Sequence, residues 1–298
     1  MFSMNRLEAK ARAQILHMLV EGMSMRAVSR LADVSINTVC KLLIDAGLAC
    51  ARFHDETVRG VATKRVECDE IWSFCYPKQK NVQGAKAAPD RAGDMWTWTA
   101  IDSDSKMILS YLVGDRDAEY ALAFMDDLRQ RLANRVQLTT DGHKPYLRAV
   151  EESFGIDVDY GMLVKLYGDS HGSTSQTRYS PAPCIGARKD VITGSPDMRK
   201  ISTSYAERSN LSMRMHMRRY TRLTNAHSKK FENHCHMVAL YTVWHNFVRM
   251  NGAVRMSPAM AAGVAKSLMT MGDIVVLIDA ASPPPTKRGP YKKREITL

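Results

Sequence analysis

Between residues 5 and 48 apolar side chains recur at helical spacing in three short runs. Leu7, Ile15, Leu16, Leu19 and Val20 fall roughly on one side of a first helix, which Gly22 breaks. A second helix opens at Ser24, a favourable N-cap, with Val28 and Leu31 at i, i+3. A tight Asp33-Val34 connection leads to a third, opened by Ser35, carrying Val39, Leu42 and Leu43 and ending near Gly47. Helix, short turn, helix is the helix-turn-helix pattern. Its second helix would present Asn37, Thr38 and Lys41 outward, with Arg26 and Arg30 near the phosphates of a bound duplex. An ordinary small helical bundle has the same periodicity.

After residue 63 the period changes to that of strands. Arg65 to Tyr76 is rich in Val, Ile, Trp, Phe and Tyr. Met95 to Ile101 and Met107 to Val113 are two more strands, joined by the polar turn Asp102-Ser103-Asp104-Ser105. Pro77 to Gly93, between the first two, reads as a surface loop. Ala118 to Leu132 predicts a helix with Ala121, Phe124, Met125, Leu128 and Leu132 on one face. A strand over Val136–Thr140, a helix over Pro145–Phe154 and a fifth strand over Ile156–Tyr160 follow. From 161 to 203 Gly, Pro, Ser and Thr are frequent and periodicity is lost, which predicts an irregular, often functional, segment. One or two long helices are expected over Tyr205 to Met250, and a last helical segment over Ser257 to Ala281. The tail SPPPTKRGPYKKR is expected to be extended and disordered. Three meandering strands followed by alternation predict an α/β fold: a mixed sheet with helices on its faces.

Charge narrows the class of partner. The 298 residues carry a net charge of +11, which favours a polyanion through attraction and counterion release. The content of 45% hydrophobic and 24% charged residues is that of a globular protein. Cys40, Cys50, Cys68, Cys75, Cys184 and Cys235 form no C-x-x-C pair and no zinc-ribbon spacing, which points to reduced thiols and to no zinc. The N-terminus has no apolar signal core, and no apolar run approaches the ~18–20 residues that span a bilayer. A cytoplasmic protein without membrane contact is expected.

Three acids stand out against the basic background. Asp69 lies in the first strand, Asp141 ends the fourth at an Asp-Gly turn, and Glu207 opens a helix. If strands one and four lie side by side in parallel, their carboxylates meet near one end of the sheet, where the helix from Ser204–Tyr205 adds a third. Carboxylates so placed repel one another unless cations neutralise them. Mg²⁺ suits hard oxygen ligands, and two such ions ~3.5–4 Å apart can drive an in-line phosphodiester displacement. Taken singly, Asp69 reads equally as a strand-end residue with Glu67 or Glu70 in its place. Asp141 reads as a turn former, and Glu207 as a first-turn acid favoured by the helix dipole. Asp102 and Asp104 read as turn residues.

Between Glu207 and Lys230 lie Arg208, Arg214, Arg218, Arg219, Arg222, Lys229 and Lys230. Arg214 and Arg218, seven and eleven residues after Glu207, would share its helical face and make a phosphate track. His234, His236 and His245 are too far apart on a helix to share one ion, whereas His143 is near enough to Asp141 to touch substrate. Lys287, Arg288, Lys292, Lys293 and Arg294 in the tail add non-specific phosphate attraction.

The stretches CDEIWSF, MWTWTAIDSDS, TTDGHKPYL and the long run YSPAPCIGARKDVITGSPDMRKISTSYAERSNLSMRMHMRRYTRLTNAHSKKFENH, with the late SPAMAAGVA, carry a resemblance. From about residue 5 to 293 the chain resembles a bacterial insertion-sequence transposase of the DDE type, with a ribonuclease-H-like catalytic domain. The resemblance implies that Asp69, Asp141 and Glu207 are catalytic and bind two divalent ions, Mg²⁺ with Mn²⁺ able to substitute. It also implies that the helix-turn-helix contacts the element's terminal repeats and that Arg214 contacts DNA. The N-terminal zinc finger of some relatives is missing, and RMNGAVRM at 249–256 replaces a His/Lys-containing stretch.

The expected layout is a helix-turn-helix domain (1–50), a linker (51–63) and a ribonuclease-H-like domain (64–252) with an irregular insertion at about 161–203. A C-terminal helical segment (253–281) and a basic tail (282–298) complete it. The expected function is a DNA transposase that cleaves double-stranded DNA at terminal repeats and joins the ends to target DNA. It would act as a homo-oligomer on the bacterial nucleoid. Two alternatives stand beside it: a ribonuclease-H-like nuclease or resolvase that cuts without joining, and a non-enzymatic helix-turn-helix regulator.

Overall fold

Alternating β-branched and aromatic residues pair into one sheet. The computed structural model describes residues 7–168, 184–221 and 225–282. Its strands are β1 (Arg65–Cys75), β2 (Gly93–Asp102), β3 (Ile108–Gly114), β4 (Gln137–Asp141), β5 (Asp159–Tyr167) and β6 (Cys184–Thr193), in spatial order β3-β2-β1-β4-β5-β6. β1, β2 and β3 are antiparallel neighbours, β4 pairs in parallel with both β1 and β5, and β6 pairs antiparallel with β5. This is the mixed sheet of a ribonuclease-H-like α/β fold.

Strand parity sorts the helices onto its two faces. Trp98 of β2 packs its buried ring against Phe124 and Tyr146. These belong to α4 (Ala118–Arg131) and α5 (Pro145–Phe154), which cover one face. Thr99, the next residue, points the other way and hydrogen-bonds Asn210 of α6 (Ser204–His216) at 3.3 Å.

The N-terminal helices are α1 (Ala9–Val20), α2 (Met25–Leu31) and α3 (Ile36–Thr57). Ser24 Oγ accepts the N–H of Ala27 at 3.2 Å and Ser35 Oγ that of Thr38 at 3.1 Å, so both expected N-caps form. The third helix does not stop near Gly47. It runs ten residues further and absorbs most of the expected linker, because Gly47 is a contact glycine and not a C-cap. A Cβ there would collide with Cα and Cβ of His236 on α7 (Phe231–Val243). Beyond α3 the chain is tied at once to the sheet: the Val61 N–H bonds Arg131 O at 2.8 Å, and the Thr63 N–H bonds Asn134 Oδ1 at 3.1 Å.

The helix-turn-helix therefore docks on the body. Arg12 of α1 makes a two-pronged pair with Asp279 of α9 (Met271–Ala281), at 2.6 and 2.9 Å. Gly22, at φ 80°, seats the α1–α2 turn on α6, where a Cβ would meet Met215 O at 2.6 Å. After α7 a π-helical turn, Trp244–Val248, brings Asn246 against the β2–β3 hairpin. Its side-chain amide satisfies both backbone groups of Ile108, at 2.9 and 2.8 Å.

Two further expectations are corrected. The stretch 161–203 is not irregular throughout: β5 extends to Tyr167 and β6 returns beside it. β6 escapes the periodicity because it is an edge strand largely exposed on both faces, Ile185 and Val191 included. The helix over 257–281 is two short ones, α8 (Pro258–Ala261) and α9. Residues 169–183, Arg222, and the basic tail with Lys287, Arg288, Lys292, Lys293 and Arg294 lie outside the described residues. No single helix among the described residues is long and apolar enough to cross a membrane.

Candidate active site

β1 and β4 run parallel with Arg65 opposite Gln137, Val66 opposite Leu138 and Glu67 opposite Thr139, and there the ladder ends. The same register carried two residues on sets Asp69 beside Asp141 as the strands part. Asp141 is the last residue of β4 and closes its own turn, Oδ1 accepting the His143 N–H at 2.9 Å. Turn residue and site residue are thus the same carboxylate.

A third acid arrives with α6, whose start is pinned by β1. Thr203, the N-cap position of α6, gives no side-chain cap. Glu67 Oε2 accepts the N–H groups of Tyr205 (2.7 Å) and Ala206 (3.2 Å) instead. Held this way, α6 delivers Asn210, whose Nδ2 donates to Asp69 Oδ2 at 2.9 Å, and Glu207 one turn earlier. Glu207 Oε1 accepts from Lys165 Nζ (2.7 Å) and Thr203 Oγ1 (2.6 Å).

Asp69, Glu70 and Asp141 each bring a carboxylate oxygen within 4.8 Å of the others. Glu207 lines the same cavity, of about 630 Å³, with Asp69, Asp141, His143, Lys165 and Arg116, but stands outside that close trio. Glu70 faces the α4–α5 side and reaches the trio where β1 and β4 part. Arg116 bridges the two strands, Nε 3.0 Å from Glu70 Oε2 and Nη2 3.5 Å from Asp141 Oδ2, with its guanidinium over the Trp96 ring.

Crowding shows in the acidities. Burial, then the charge of Asp141, pushes the Asp69 carboxyl up to about 6. Burial and Asp141 likewise push Glu70 up to about 7, with Arg116 opposing. At Glu207 burial is outweighed by the hydrogen bonds from Lys165 and Thr203, which hold it below the usual carboxylate range. The Tyr146 phenol faces Glu70 closely enough to favour its charge, yet Tyr146 Oη and Glu70 Oε1 are both buried without a formed hydrogen bond. An all-oxygen donor set, mutually repelling and with an orphaned buried carboxylate oxygen, fits a hard divalent cation. Asp69, Glu70 and Asp141 could hold one, and Glu207 could join once released by Lys165.

The remaining expected site residues are dispersed. Asn37, Lys41, Arg26 and Arg30 are exposed on the helix-turn-helix, while Thr38 is half-buried with Oγ1 2.9 Å from Ser35 Oγ. Arg214 sits on α6 two turns after Glu207. Arg218 does not share that face: α6 ends at His216, Met217 is extended, and Arg218 opens a separate 3-10 turn. His143 lines the cavity, its ring held below the usual range by burial and Arg116. Asp102 and Asp104 are turn residues, Asp102 accepting from Thr63 Oγ1 (2.7 Å) and the Asp104 N–H (3.0 Å). His234 spends both ring nitrogens on Ser228 Oγ (2.9 Å) and Tyr220 Oη (3.0 Å). Arg116 and Lys165 were not singled out by sequence, and Glu67 stood there only as a substitute for Asp69, not as the cap of α6.

No family model and no curated protein matches the chain. Among solved structures, one similar to it is a pre-cleavage Mos1 transpososome, at TM-score 0.21 and 11% identity, over 54% of this chain and 61% of that one. Another is a piggyBac transposase synaptic complex with hairpin DNA, at TM-score 0.39 and 8% identity, over 91% of this chain and 69% of that one. A third is the Mos1 mariner paired end complex with Mn, at TM-score 0.30 and 11% identity, over 90% and 82%. Likeness this distant leaves the chemistry to the geometry of the acids themselves.

Proposed function

We propose that this protein is a divalent-metal-dependent DNA transposase of the DDE type, from a bacterial insertion sequence. The observation that carries the reading is the convergence of Asp69, Glu70 and Asp141, with Glu207 on the same cavity, inside a protein of net charge +11. A partly buried acidic cluster in a basic molecule matches a polyanionic substrate whose reacting phosphate is neutralised locally.

Bound Mg²⁺, or Mn²⁺ in its place, supplies Lewis-acid stabilisation of an in-line phosphodiester displacement. The chain's own residues do the rest. Asn210 fixes the orientation of Asp69, and Glu67 fixes the helix that carries Glu207 and Asn210. Lys165 and Arg116, each already on a carboxylate, line the cavity with Lys144 and would meet a phosphate entering it. Asn37, Lys41, Arg26 and Arg30 present hydrogen-bonding and cationic groups to a duplex. No side chain need form a covalent bond to DNA: water attacks first, and the freed 3′-hydroxyl attacks the target in a second displacement.

A strand-transfer assay separates this reading from a nuclease that cuts only. Pre-nicked duplexes carrying the element's ends are incubated with target plasmid and Mg²⁺ or Mn²⁺. Covalent joining is expected; cleavage without any joined product would leave the nuclease reading standing instead.

A further inference from the structure

Arg219 lies in the turn Arg218–Tyr220 after α6, tucked beside the start of α2. Its Nη1 donates to Asn233 O at 2.9 Å and to Ser228 Oγ at 3.3 Å, and Nη2 meets Met25 Sδ at 3.5 Å. Every one of these partners is neutral. Burial pulls its pKa down to about 10, and the side chains that oppose this are Cys40, Tyr220 and Cys75, with no Asp or Glu among them. Half-buried on the cavity wall with no carboxylate among its hydrogen-bond partners, the guanidinium is poorly compensated, and an arriving anion would relieve it.

Above Arg219 opens a cavity of about 770 Å³ between α2 and the segment 225–229. Arg26, Arg218 and Lys229 stand on its rim with Asn225 and His227, over a floor that includes Met23 and Met237. Among the described residues, none that lines it is acidic. Its far wall is joined to the catalytic sheet, because the Tyr76 N–H, just past β1, bonds Ser228 O at 2.8 Å. The cavity therefore lies between the helix-turn-helix and the strand that carries Asp69.

We propose that this cavity is a second DNA site, binding a backbone phosphodiester with Arg219 as the inner anchor and Arg26, Arg218 and Lys229 as the rim. It would hold the strand between the duplex read by the helix-turn-helix and the phosphate delivered to the acids. The proposal rests on the DNA-acting function above.

The test is the salt dependence of DNA binding, read by fluorescence anisotropy on a labelled duplex of about 20 base pairs in EDTA. Each lost phosphate contact lowers the slope of log K against log salt by about 0.9. Arg218→Gln with Lys229→Gln, both exposed positions, should fold normally and lower the slope by about 2, and Arg219→Gln by about 1. Arg148→Gln with Arg199→Gln removes the same charge elsewhere on the exposed surface and should leave the slope near that of the parent. A rim variant with the parent's slope, or no larger a loss than the control, overturns the site. Thermal stabilisation by inorganic phosphate, abolished in Arg219→Gln while the DNA slope is unchanged, would mark a small-anion site and overturn the DNA assignment. If the parent itself showed no salt-dependent DNA binding, the functional reading would fail before this one.

Discussion

Lys165 and Glu207 form the contact on which the proposed chemistry turns. At 2.7 Å the ammonium occupies the carboxylate that a cation would need. Replacing Lys165 by Met frees Glu207, so Mn²⁺ affinity measured by calorimetry should rise several-fold while DNA cleavage falls. Equal or weaker affinity would mean that Glu207 is no ligand. Glu70 makes a second, independent case. Its carboxyl is raised from 4.5 to about 7, so ionisation is disfavoured in the folded state and the penalty is present above pH 7 and gone below pH 4.5. Glu70→Gln should therefore stabilise the metal-free protein at pH 8 by about 1–3 kcal/mol, with the gain vanishing by pH 4. A melting series over pH reads this directly. That Asp69, Asp141 and Glu207 come to one cavity was legible in sequence because strand, strand end and helix start are local signals. Glu70 was visible only as a substitute for Asp69, since its parity puts it on the other face and only the parting of β1 and β4 brings it round. Lys165 and Arg116 come from elements with no local link to the acids.

Elements position these residues through a few tight contacts. Glu67 replaces the missing cap of α6, so Glu67→Gln, which keeps an acceptor, should be tolerated. Glu67→Ala should lower stability by about 1–2 kcal/mol and slow cleavage, as the helix bearing Glu207 and Asn210 loosens. Equal behaviour of the two variants in melting and cleavage assays would remove Glu67 from this role. Gly47→Ala should destabilise by about 1–3 kcal/mol or more in denaturant unfolding, because α3 and α7 would have to separate around His236. That same glycine misled the sequence reading, in which a Gly after an apolar run signals a helix end. A similar difficulty placed Arg218 on Glu207's face: nothing local announces that Met217 leaves the helix. β6 was missed because an edge strand with both faces in water has no alternation to detect.

At the scale of the molecule, the helix-turn-helix is no loosely tethered module. Arg12 to Asp279, Gly22 on Met215 and α3 along α7 set it against the body that carries the acids. A basic surface and an acidic cavity thus have a fixed relation, as the proposed function requires. In the proposed function the acids, and not the DNA-binding surface alone, perform the reaction. The most direct measurement compares parent and Asp141→Ala in Mn²⁺-dependent cleavage of a plasmid carrying the element's ends, with end binding followed in parallel. Asp141→Ala is expected to bind the ends nearly as tightly as the parent and to yield neither cleaved nor joined product. Cleavage by Asp141→Ala at the parent's rate would contradict it.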